Sequence, residues 1–229
     1  AWSPDGRLIA FLRSVAPTRA ALIIVPLRGG RERVLAEIER IDTLGLFEGT
    51  FLAWTPDSKW IAVSEVANAI HFLVQHSVET GERRKLTSPA KEAELGDLNP
   101  AFSPNGQTLA FTRESHRRDI YLLRLDAGYR PQGVPERLGL NSTDNVGPVW
   151  MPGGREIVFL SGLWGSMGLW RAAVGKSVSP QRLSFAGRNV SSAAVSHRSN
   201  RLAYSSATSD ANIWRIDLHG PDGKSSPPT

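Results

Sequence analysis

One pentapeptide comes near to a catalytic motif, Trp164-Gly165-Ser166-Met167-Gly168. A serine hydrolase of the common Gly-x-Ser-x-Gly type carries its nucleophile on a sharp turn between a strand and a helix, with a general base nearby. Here the first glycine is out of register, and the flanking apolar segments indicate strands on both sides. We therefore interpret Ser166 as a loop serine and predict no catalytic residue in this chain.

The histidines and acidic residues do not have the spacing of a metal site. The five histidines are His71, His76, His116, His197 and His219. His71 and His76 lie five positions apart on or beside a predicted strand, which places their side chains on opposite faces. Asp210, Asp217 and Asp222 lack the alternating oxygen spacing of a calcium loop. No glycine-rich phosphate loop follows a strand and opens a helix, so we predict neither a metal nor a cofactor.

Three residues in predicted loops are the candidates for contact with a partner. Arg117 and Arg118 share one loop, and Trp164 lies in the equivalent loop of the next repeated unit. We expect these neighbouring loops to form a rim that holds a protein or a small ligand. The residues do not specify which.

All these residues lie between five copies of one segment, first seen as Ala1-Trp2-Ser3-Pro4-Asp5-Gly6-Arg7-Leu8-Ile9-Ala10-Phe11. Proline presets one backbone φ, glycine supplies a positive φ, and β-branched and aromatic residues flank the turn, which predicts a tight hairpin. The copies start near residues 1, 53, 101, 149 and 194. The fifth copy has lost both Pro and Gly near His197, which weakens the turn signal there.

Each hairpin is followed by an apolar strand and then by a short polar strand. The apolar segments are Ala21 to Leu27, Ala69 to Val74, Asp119 to Leu125, Gly168 to Val174 and Asn212 to Leu218. The polar segments carry Arg33, Lys85, Arg137 and Arg182, which we interpret as basic residues that protect a sheet edge from pairing. Each repeat therefore predicts four short strands.

Four-stranded units at a spacing of about 45–52 residues are typical of a β-propeller. We predict an all-β fold, a β-propeller of four-stranded antiparallel blades, with four complete blades and a partial fifth as an excerpt of a larger propeller. Residues 1–229 are predicted to form a single propeller domain that is part of a longer chain. The segment from Arg33 to Ile41 is ambiguous, because its apolar spacing fits either a helical turn or a strand followed by a loop.

Composition limits the possible partners only weakly. Lys and Arg number 27 against 22 Asp and Glu, and the resulting charge of +5 is spread along the chain. Nucleic-acid binding calls for basic residues beside exposed aromatics, but here the aromatics occupy repeat positions that predict a core, so direct contact with nucleic acid is not expected. The longest apolar run, Ala20 to Val25, is far shorter than the ~20 residues of a spanning helix, so no membrane insertion is expected.

The repeated Trp-Ser-Pro-Asp-Gly-x-x-Ile-Ala-Phe pattern resembles the WD40-like repeat, also called PD40, of the TolB propeller family, and it covers essentially the whole chain. This resemblance implies a non-catalytic propeller that binds a protein or senses a ligand within a larger bacterial protein, such as a transcriptional regulator. Two alternatives stay open: the substrate-gating propeller of a prolyl oligopeptidase-type serine peptidase, and a TolB-like envelope scaffold. The compartment, periplasmic or cytoplasmic, depends on the parent chain.

Overall fold

The Ser-Pro-Asp-Gly segments form the turns that the sequence predicts. The amide at the fourth turn position donates to the carbonyl of the first, as in Gly6 N to Ser3 O at 2.9 Å and Gly106 N to Ser103 O at 2.8 Å. That fourth position has a left-handed φ of 74° in Gly6 and 72° in Gly106. Ser58 occupies it in the second repeat with a φ of 62°, so the turn forms there without glycine.

The computed structural model of the protein describes residues 1–39, 51–90, 95–140, 144–163, 166–175, 179–196 and 200–206. The strands are β1 (Leu8–Ala16), β2 (Arg19–Pro26), β3 (Arg33–Glu39), β4 (Leu52–Trp54), β5 (Trp60–Ala67), β6 (Ile70–Ser77), β7 (Arg83–Lys85), β8 (Gly96–Phe102), β9 (Thr108–Glu114), β10 (Arg118–Leu125), β11 (Pro131–Arg137), β12 (Asn145–Trp150), β13 (Glu156–Ser161), β14 (Gly168–Ala173), β15 (Gln181–Arg182), β16 (Val190–Ser196) and β17 (Arg201–Ser206). Within these ranges the only helical element is a 3₁₀ turn at Ser184–Ala186.

The strands group into the units that the repeats predict, which we call blades. Blade 1 is β1 to β3 with a bridge between Trp2 and Ile9, blade 2 is β4 to β7, blade 3 is β8 to β11, blade 4 is β12 to β15, and blade 5 contains β16 and β17. Neighbouring strands within a blade are antiparallel. The first strands β4, β8, β12 and β16 contact one another in succession. They therefore lie on the inside of a radial array, which is the arrangement of a β-propeller.

Blades 2 and 3 also meet through a single parallel pair, His71 with Gly96. Gly96 has a φ of 91°, and a Cβ at this position would lie 2.1 Å from the carbonyl oxygen of His71. Only glycine permits this approach of the two backbones.

The helical interpretation of the segment from Arg33 is wrong, and the strand alternative is correct for Arg33–Glu39. The strand pairs with β2, where Leu22 faces Ala36 but Ile23 faces Val34, so Leu35 is an extra residue in a β-bulge. A bulge breaks the period of two, which explains the apolar spacing that resembles a helix. Residue 41 lies outside the described residues.

The strands that carry the predicted edge residues are the outermost strands of their blades; two of them, β7 and β15, are short, and β3 and β11 have seven residues each. Arg33, Lys85, Arg137 and Arg182 are all exposed on β3, β7, β11 and β15. Their side chains cover neighbours within the fold: the Lys85 ammonium lies 4.7 Å from the centre of the Phe72 ring, and Arg137 forms an ion pair with Asp119. These residues have the position that an edge-protecting role requires.

Apolar clusters fill the space between each pair of consecutive blades. Between blades 1 and 2, for example, Leu22 and Ile24 pack against Trp54 and Ile61. Two of the repeated aromatic residues also form a hydrogen bond across the boundary. Trp54 Nε1 donates to Ala1 O at 3.2 Å, and Trp150 Nε1 donates to Ala101 O at 3.0 Å. Trp54 is 6% exposed and Trp150 is 2% exposed.

The fifth repeat forms a paired hairpin despite its lost turn residues. Val195 of β16 faces Leu202 of β17, in the same register as Trp2 and Ile9 in the first repeat. The predicted third strand, Asn212 to Leu218, lies outside the described residues.

The turn between β5 and β6 gives a test of backbone strain. Asn68 and Ala69 form a two-residue loop with φ values of 53° and 63°, a type I′ turn in which Asn-Gly is the preferred sequence. We expect Ala69→Gly to raise the free energy of unfolding by about 1 kcal/mol, measured by urea denaturation, because an L-residue at positive φ is strained. Ala67→Gly, in the exposed end of β5, is the control and should lower stability by about 0.5–1 kcal/mol. A similar loss in both variants would contradict the strained turn.

Candidate functional site

The loop between β9 and β10 carries two of the three predicted partner-binding residues. Ser115 N donates to Arg117 O at 3.1 Å, which makes the loop a short, closed turn at the end of the blade opposite the Ser-Pro hairpins. Arg117 is exposed, and the described residues offer its side chain no ion pair. Trp164 lies outside the described residues, so the structure does not show whether it joins Arg117.

Arg118 is placed differently from Arg117. Its side chain is 15% exposed, and its Nη2 lies 3.2 Å from the carboxylate of Asp144 in the link before blade 4. The backbone amide of Arg118 also donates to Asp144 at 3.3 Å. Arg118 therefore connects blades 3 and 4, and Arg117 is the member of the predicted pair that faces solvent.

A buried ion pair lies beneath this loop. Arg113, near the end of β9, donates two hydrogen bonds to the carboxylate of Asp97 at 2.6 and 2.9 Å. The Asp97 side chain is 0% exposed, and that of Arg113 is 17% exposed. The guanidinium carbon of Arg113 also lies 4.8 Å from the centre of the Tyr121 ring. These contacts fix β8 and β9 at their loop ends.

A second polar cluster links blades 3 and 4. Asp119 forms an ion pair with Arg137 and accepts a hydrogen bond from Asn145 Nδ2 at 3.2 Å. It also accepts from the backbone amide of Ile120 at 2.9 Å. Asp119 and Asn145 are both buried. The base of the loop therefore rests on satisfied polar groups, which hold their neighbours in one geometry.

The sequence did not identify Asp97, Arg113, Asp119, Asp144 or Asn145 as a connected set. Acidic or amide residues at the start of a first strand, as in Asp97 and Asn145, are the signal that could have found them. Buried charges need partners, so such positions imply a nearby cation or donor.

Ser64 and His71 have the residue types of a nucleophile and a base, and Ser64 Oγ lies 3.0 Å from His71 Nδ1. The hydroxyl of Ser64 also donates to the backbone oxygen of Asp97 at 3.0 Å. A hydroxyl has one proton to donate, so the shared hydrogen bond with His71 must be donated by Nδ1. A protonated Nδ1 does not take a proton from Ser64. The pair has the geometry of a structural contact.

His76 occupies a separate buried cluster. Its Nε2 lies 3.0 Å from Glu65 Oε1, and Arg83 Nη2 lies 2.7 Å from Glu65 Oε2. Burial raises the pKa of the Glu65 carboxyl, but the hydrogen bonds from His76 and Arg83 outweigh it and hold this pKa below its ordinary value. Glu65 is thus ionised at neutral pH, and both of its carboxylate oxygens have a partner, His76 or Arg83.

Ser166 is a loop residue, as interpreted from the sequence. Its hydroxyl donates to Leu163 O at 3.1 Å, and its backbone amide donates to the same oxygen at 2.9 Å. Both donors therefore close the turn between β13 and β14.

Among the described residues there is no group of three or more His, Cys, Asp or Glu side chains placed to hold a metal ion. The same part of the chain contains no helix of the length and apolar character needed to cross a membrane.

A cavity of about 1180 Å³ lies between blade 1 and blade 5 and reaches the inner strands of blades 2 and 3. Trp2 and Phe11 line it from blade 1, Ala194 and Val195 line it from blade 5, and Phe102 lines it from blade 3. Its walls are mainly apolar, and three of the residues that line it, Ala10, Leu52 and Trp54, also belong to the cluster between blades 1 and 2.

Comparisons with known proteins agree with the propeller architecture. The TolB beta propeller domain family matches residues 51–225, more than half of the chain, and the chain belongs to this family. An uncharacterized peptidase, YuxL of Bacillus subtilis, is 29% identical to the chain, and the match covers 53% of this chain and 23% of that protein.

Solved structures show the same fold. TolB from Acinetobacter baumannii superposes with a TM-score of 0.68 and 23% identity over 97% of this chain and 52% of that one. A putative TolB from Agrobacterium tumefaciens superposes with a TM-score of 0.66 and 20% identity, covering 90% of this chain and 73% of that one. The chain therefore spans about a quarter of the peptidase relative and about half of the first TolB chain.

The buried pair under the loop gives a test with a matched control. Arg113→Met should lower the free energy of unfolding by about 3–5 kcal/mol, because it leaves the Asp97 carboxylate buried without a counter-ion. Arg13→Met is the control: Arg13 has the same repeat position and lies at the same 5.4 Å from its phenylalanine ring, but its partner Glu32 is exposed. We expect the control to lose far less stability, because an ion pair between exposed side chains contributes little. Equal losses in chemical denaturation would contradict this assignment.

Proposed function

We propose that this chain is a non-catalytic β-propeller that binds a protein or a small ligand on the loop face, as the interaction or sensing part of a larger bacterial protein such as a transcriptional regulator. We define the loop face as the end of the blades that carries the Ser115 to Arg117 loop. The proposal includes residues 1–229 as one propeller domain.

The observation that carries the proposal is the exposed Arg117 on a turn whose base is fixed. Arg118 with Asp144 holds one side of that turn at 3.2 Å, and Arg113 with Asp97 holds the strand below it. Loops supported by a rigid scaffold are where propellers and other β folds usually carry their binding residues. A loop that is already ordered loses less entropy when a partner binds.

The chemistry of Arg117 favours an acidic group on the partner. A guanidinium presents a planar set of donors that matches a carboxylate or phosphate. Trp164, predicted in the equivalent loop of the next repeat, would add an apolar surface beside it. Under this proposal the partner offers an anionic side chain flanked by an apolar or aromatic one.

The test is a comparison of two charge reversals at opposite ends of the blades. The immobilised 229-residue chain is exposed to a lysate of its source bacterium, and each retained protein is quantified by mass spectrometry. Arg117→Glu should reduce the retained amount of a protein that binds at Arg117 about tenfold or more. The reason is that loss of a charge contact buried in an interface costs a few kcal/mol of binding free energy. Arg7→Glu is the control, since the Arg7 side chain is 84% exposed on the hairpin end. Arg118 is unsuitable because its substitution would also break the contact with Asp144.

Two outcomes would contradict the proposal. Retention of the same proteins by wild type and Arg117→Glu would remove Arg117 from the interface. A similar loss in Arg7→Glu would indicate general attraction between the basic chain and acidic proteins.

The second candidate function is the substrate-gating propeller of a serine peptidase. Similarity to the B. subtilis protein named as an uncharacterized peptidase favours it, and in that case the catalytic residues would belong to another part of the parent chain. A TolB-like envelope scaffold is the third. The flanking sequence separates them: a winged-helix or kinase segment supports the regulator, a hydrolase segment supports the peptidase, and a signal peptide with a small α/β domain supports the scaffold.

A further inference from the structure

The fourth hairpin turn has the backbone of the other turns but not their side chains. Gly154 N donates to Met151 O at 2.9 Å, and Gly154 has a φ of 65°, against 2.9 Å and 74° in the first turn. However, Met151 and Gly153 occupy the positions that Ser3 and Asp5 have in the first turn. The turn is therefore kept, while two polar side chains are replaced by a thioether and by hydrogen.

In the first three turns these polar side chains accept from the two backbone amides that follow the turn. Asp5 Oδ1 accepts from Arg7 N at 3.0 Å, and Ser3 Oγ accepts from Leu8 N at 2.9 Å. The equivalent donors in the second turn are Lys59 N and Trp60 N, both at 3.0 Å, and in the third turn Gln107 N and Thr108 N, at 3.1 and 2.9 Å. A carboxylate or amide oxygen and a hydroxyl oxygen thus cover both amides in each turn.

The fourth turn presents the same two amides without these acceptors. Arg155 N has no hydrogen-bond acceptor in the part of the chain that the structure describes. Glu156 N lacks the hydroxyl that Ser3 offers in the first turn, because Met151 has none. Backbone amides are strong donors, so two neighbouring amides of this kind can bind an oxygen that comes from outside the chain.

The side chain of Arg155 adds a positive charge beside these amides. In the first turn the second carboxylate oxygen of Asp5 lies 3.8 Å from Arg7 Nε, so one carboxylate contacts both the amide and the guanidinium of Arg7. Arg155 has the same repeat position as Arg7, is exposed, and has no ion pair among the described residues. The carboxylate of the adjacent Glu156 lies 3.6 Å from Arg171 Nε instead.

The space above the fourth turn is open. A Cβ on Gly153 would meet no heavy atom within 4 Å beyond its own chain neighbours, and a Cβ on Gly154 would meet only Pro104 of the third turn, at 3.6 Å. The third turn carries the neutral residues Asn105 and Gln107. An anionic group can therefore approach the two amides over Gly153 without repulsion from that neighbouring turn.

We propose that the fourth turn is a carboxylate-binding site, in which the amides of Arg155 and Glu156 and the guanidinium of Arg155 hold an Asp or Glu side chain of a partner protein. The partner's carboxylate takes the place that Asp5 has in the first turn. One of its oxygens accepts from Arg155 N, and the other faces the guanidinium, which favours a bidentate anion. The site lies at the opposite end of the blades from Arg117, so it does not depend on the loop-face proposal.

The shape of the surface favours a protein over a free small molecule. Small ligands bind in concave sites that bury most of their surface, whereas this turn is open above Gly153. A partner protein supplies further contacts around the one carboxylate. A planar carboxylate is favoured over a tetrahedral phosphate, because the acceptors in the other turns are the planar carboxylate of Asp5 and Asp57 and the planar amide of Asn105.

The experiment compares two short peptides that differ only in charge. The peptide acetyl-Gly-Asp-Gly-amide and its neutral isostere acetyl-Gly-Asn-Gly-amide are titrated into the ¹⁵N-labelled 229-residue chain, and assigned backbone amides are followed by NMR. The Asp peptide should give saturable shifts at the amides of Arg155 and Glu156 and none at Arg7, whose amide is already bonded to Asp5. The Asn peptide should bind at least about tenfold more weakly, because hydrogen bonds to an ionised acceptor are stronger.

Substitutions at Gly153 give a matched pair. Gly153 does not have a left-handed φ, and its Cβ position is open, so both variants fit the turn. Gly153→Asp supplies the carboxylate from within the chain and should weaken binding of the Asp peptide at least about tenfold. Gly153→Ala adds only a methyl group and should bind like wild type. Arg155→Gln, which copies Gln107 of the third turn, should also weaken binding and is the second test of the charge.

Four results would overturn the proposal. Equal binding of the Asp and Asn peptides would show that the carboxylate is not recognised. Equal shifts at Arg7 and Arg155 would indicate general attraction to a basic surface. Undiminished binding in both Gly153→Asp and Arg155→Gln would place the peptide elsewhere. Tighter binding of acetyl-Gly-phosphoserine-Gly-amide than of the Asp peptide would identify a phosphate site instead.

Discussion

Packing of each blade against the one before it is the constraint on which the rest of the structure depends. A short four-stranded sheet has two faces, and neither is buried within the sheet itself. The described clusters show how the faces are covered: apolar residues from the first three strands of one blade meet the aromatic and aliphatic residues that open the next. Repeat proteins are stabilised in this way by contacts between neighbours. Trp54 and Trp150 fix the register between neighbouring blades. Each indole hydrogen bond to a carbonyl of the preceding blade forms in only one alignment of the two hairpins.

The two ends of the blades differ in chemistry. At the hairpin end, the Ser-Pro turns satisfy their own backbone groups, as Ser3 Oγ does by accepting from Leu8 N at 2.9 Å. At the loop end, charged residues are buried under the loops and paired, as in Asp97 with Arg113. Burial of a paired charge contributes little net stability but holds its neighbours in one geometry. At this loop end a fixed backbone presents Arg117, an exposed side chain that has no ion pair among the described residues.

The sequence predicted the fold because its signals are local. The hairpin turn, the alternation of apolar and polar residues, and the basic edge residues can each be recognised within a short segment. Each of these signals also recurs in several repeats. Two local features could not be determined from residue types alone, for physical reasons. The bulge at Leu35 inserts one residue into β3, so a strand has the apolar spacing of a helix. Ser58 adopts a positive φ that its residue type does not indicate, and its hydroxyl accepts from Asp5 N of the neighbouring turn at 3.1 Å.

The candidate site was predicted only in part, because its contacts are distant in sequence. Arg118 and Asp144 are separated by 26 positions, and nothing near either residue distinguishes Arg118 from the exposed Arg117. Asp97 and Arg113 lie on different strands, so only their burial reveals that each requires the other. Period-two patterns indicate which face a residue occupies, but they do not name its partner.

Hydrogen exchange of the tryptophan indoles tests the central claim most directly. If the blades are held in register by first-strand aromatic residues, the Nε1 hydrogens of Trp54 and Trp150 exchange only when a blade boundary opens. Their rates, measured by ¹⁵N NMR in D₂O, should then be about 1,000-fold or more below that of a free indole. Exchange of both hydrogens at the rate of a free indole would show that these boundaries are not formed as described.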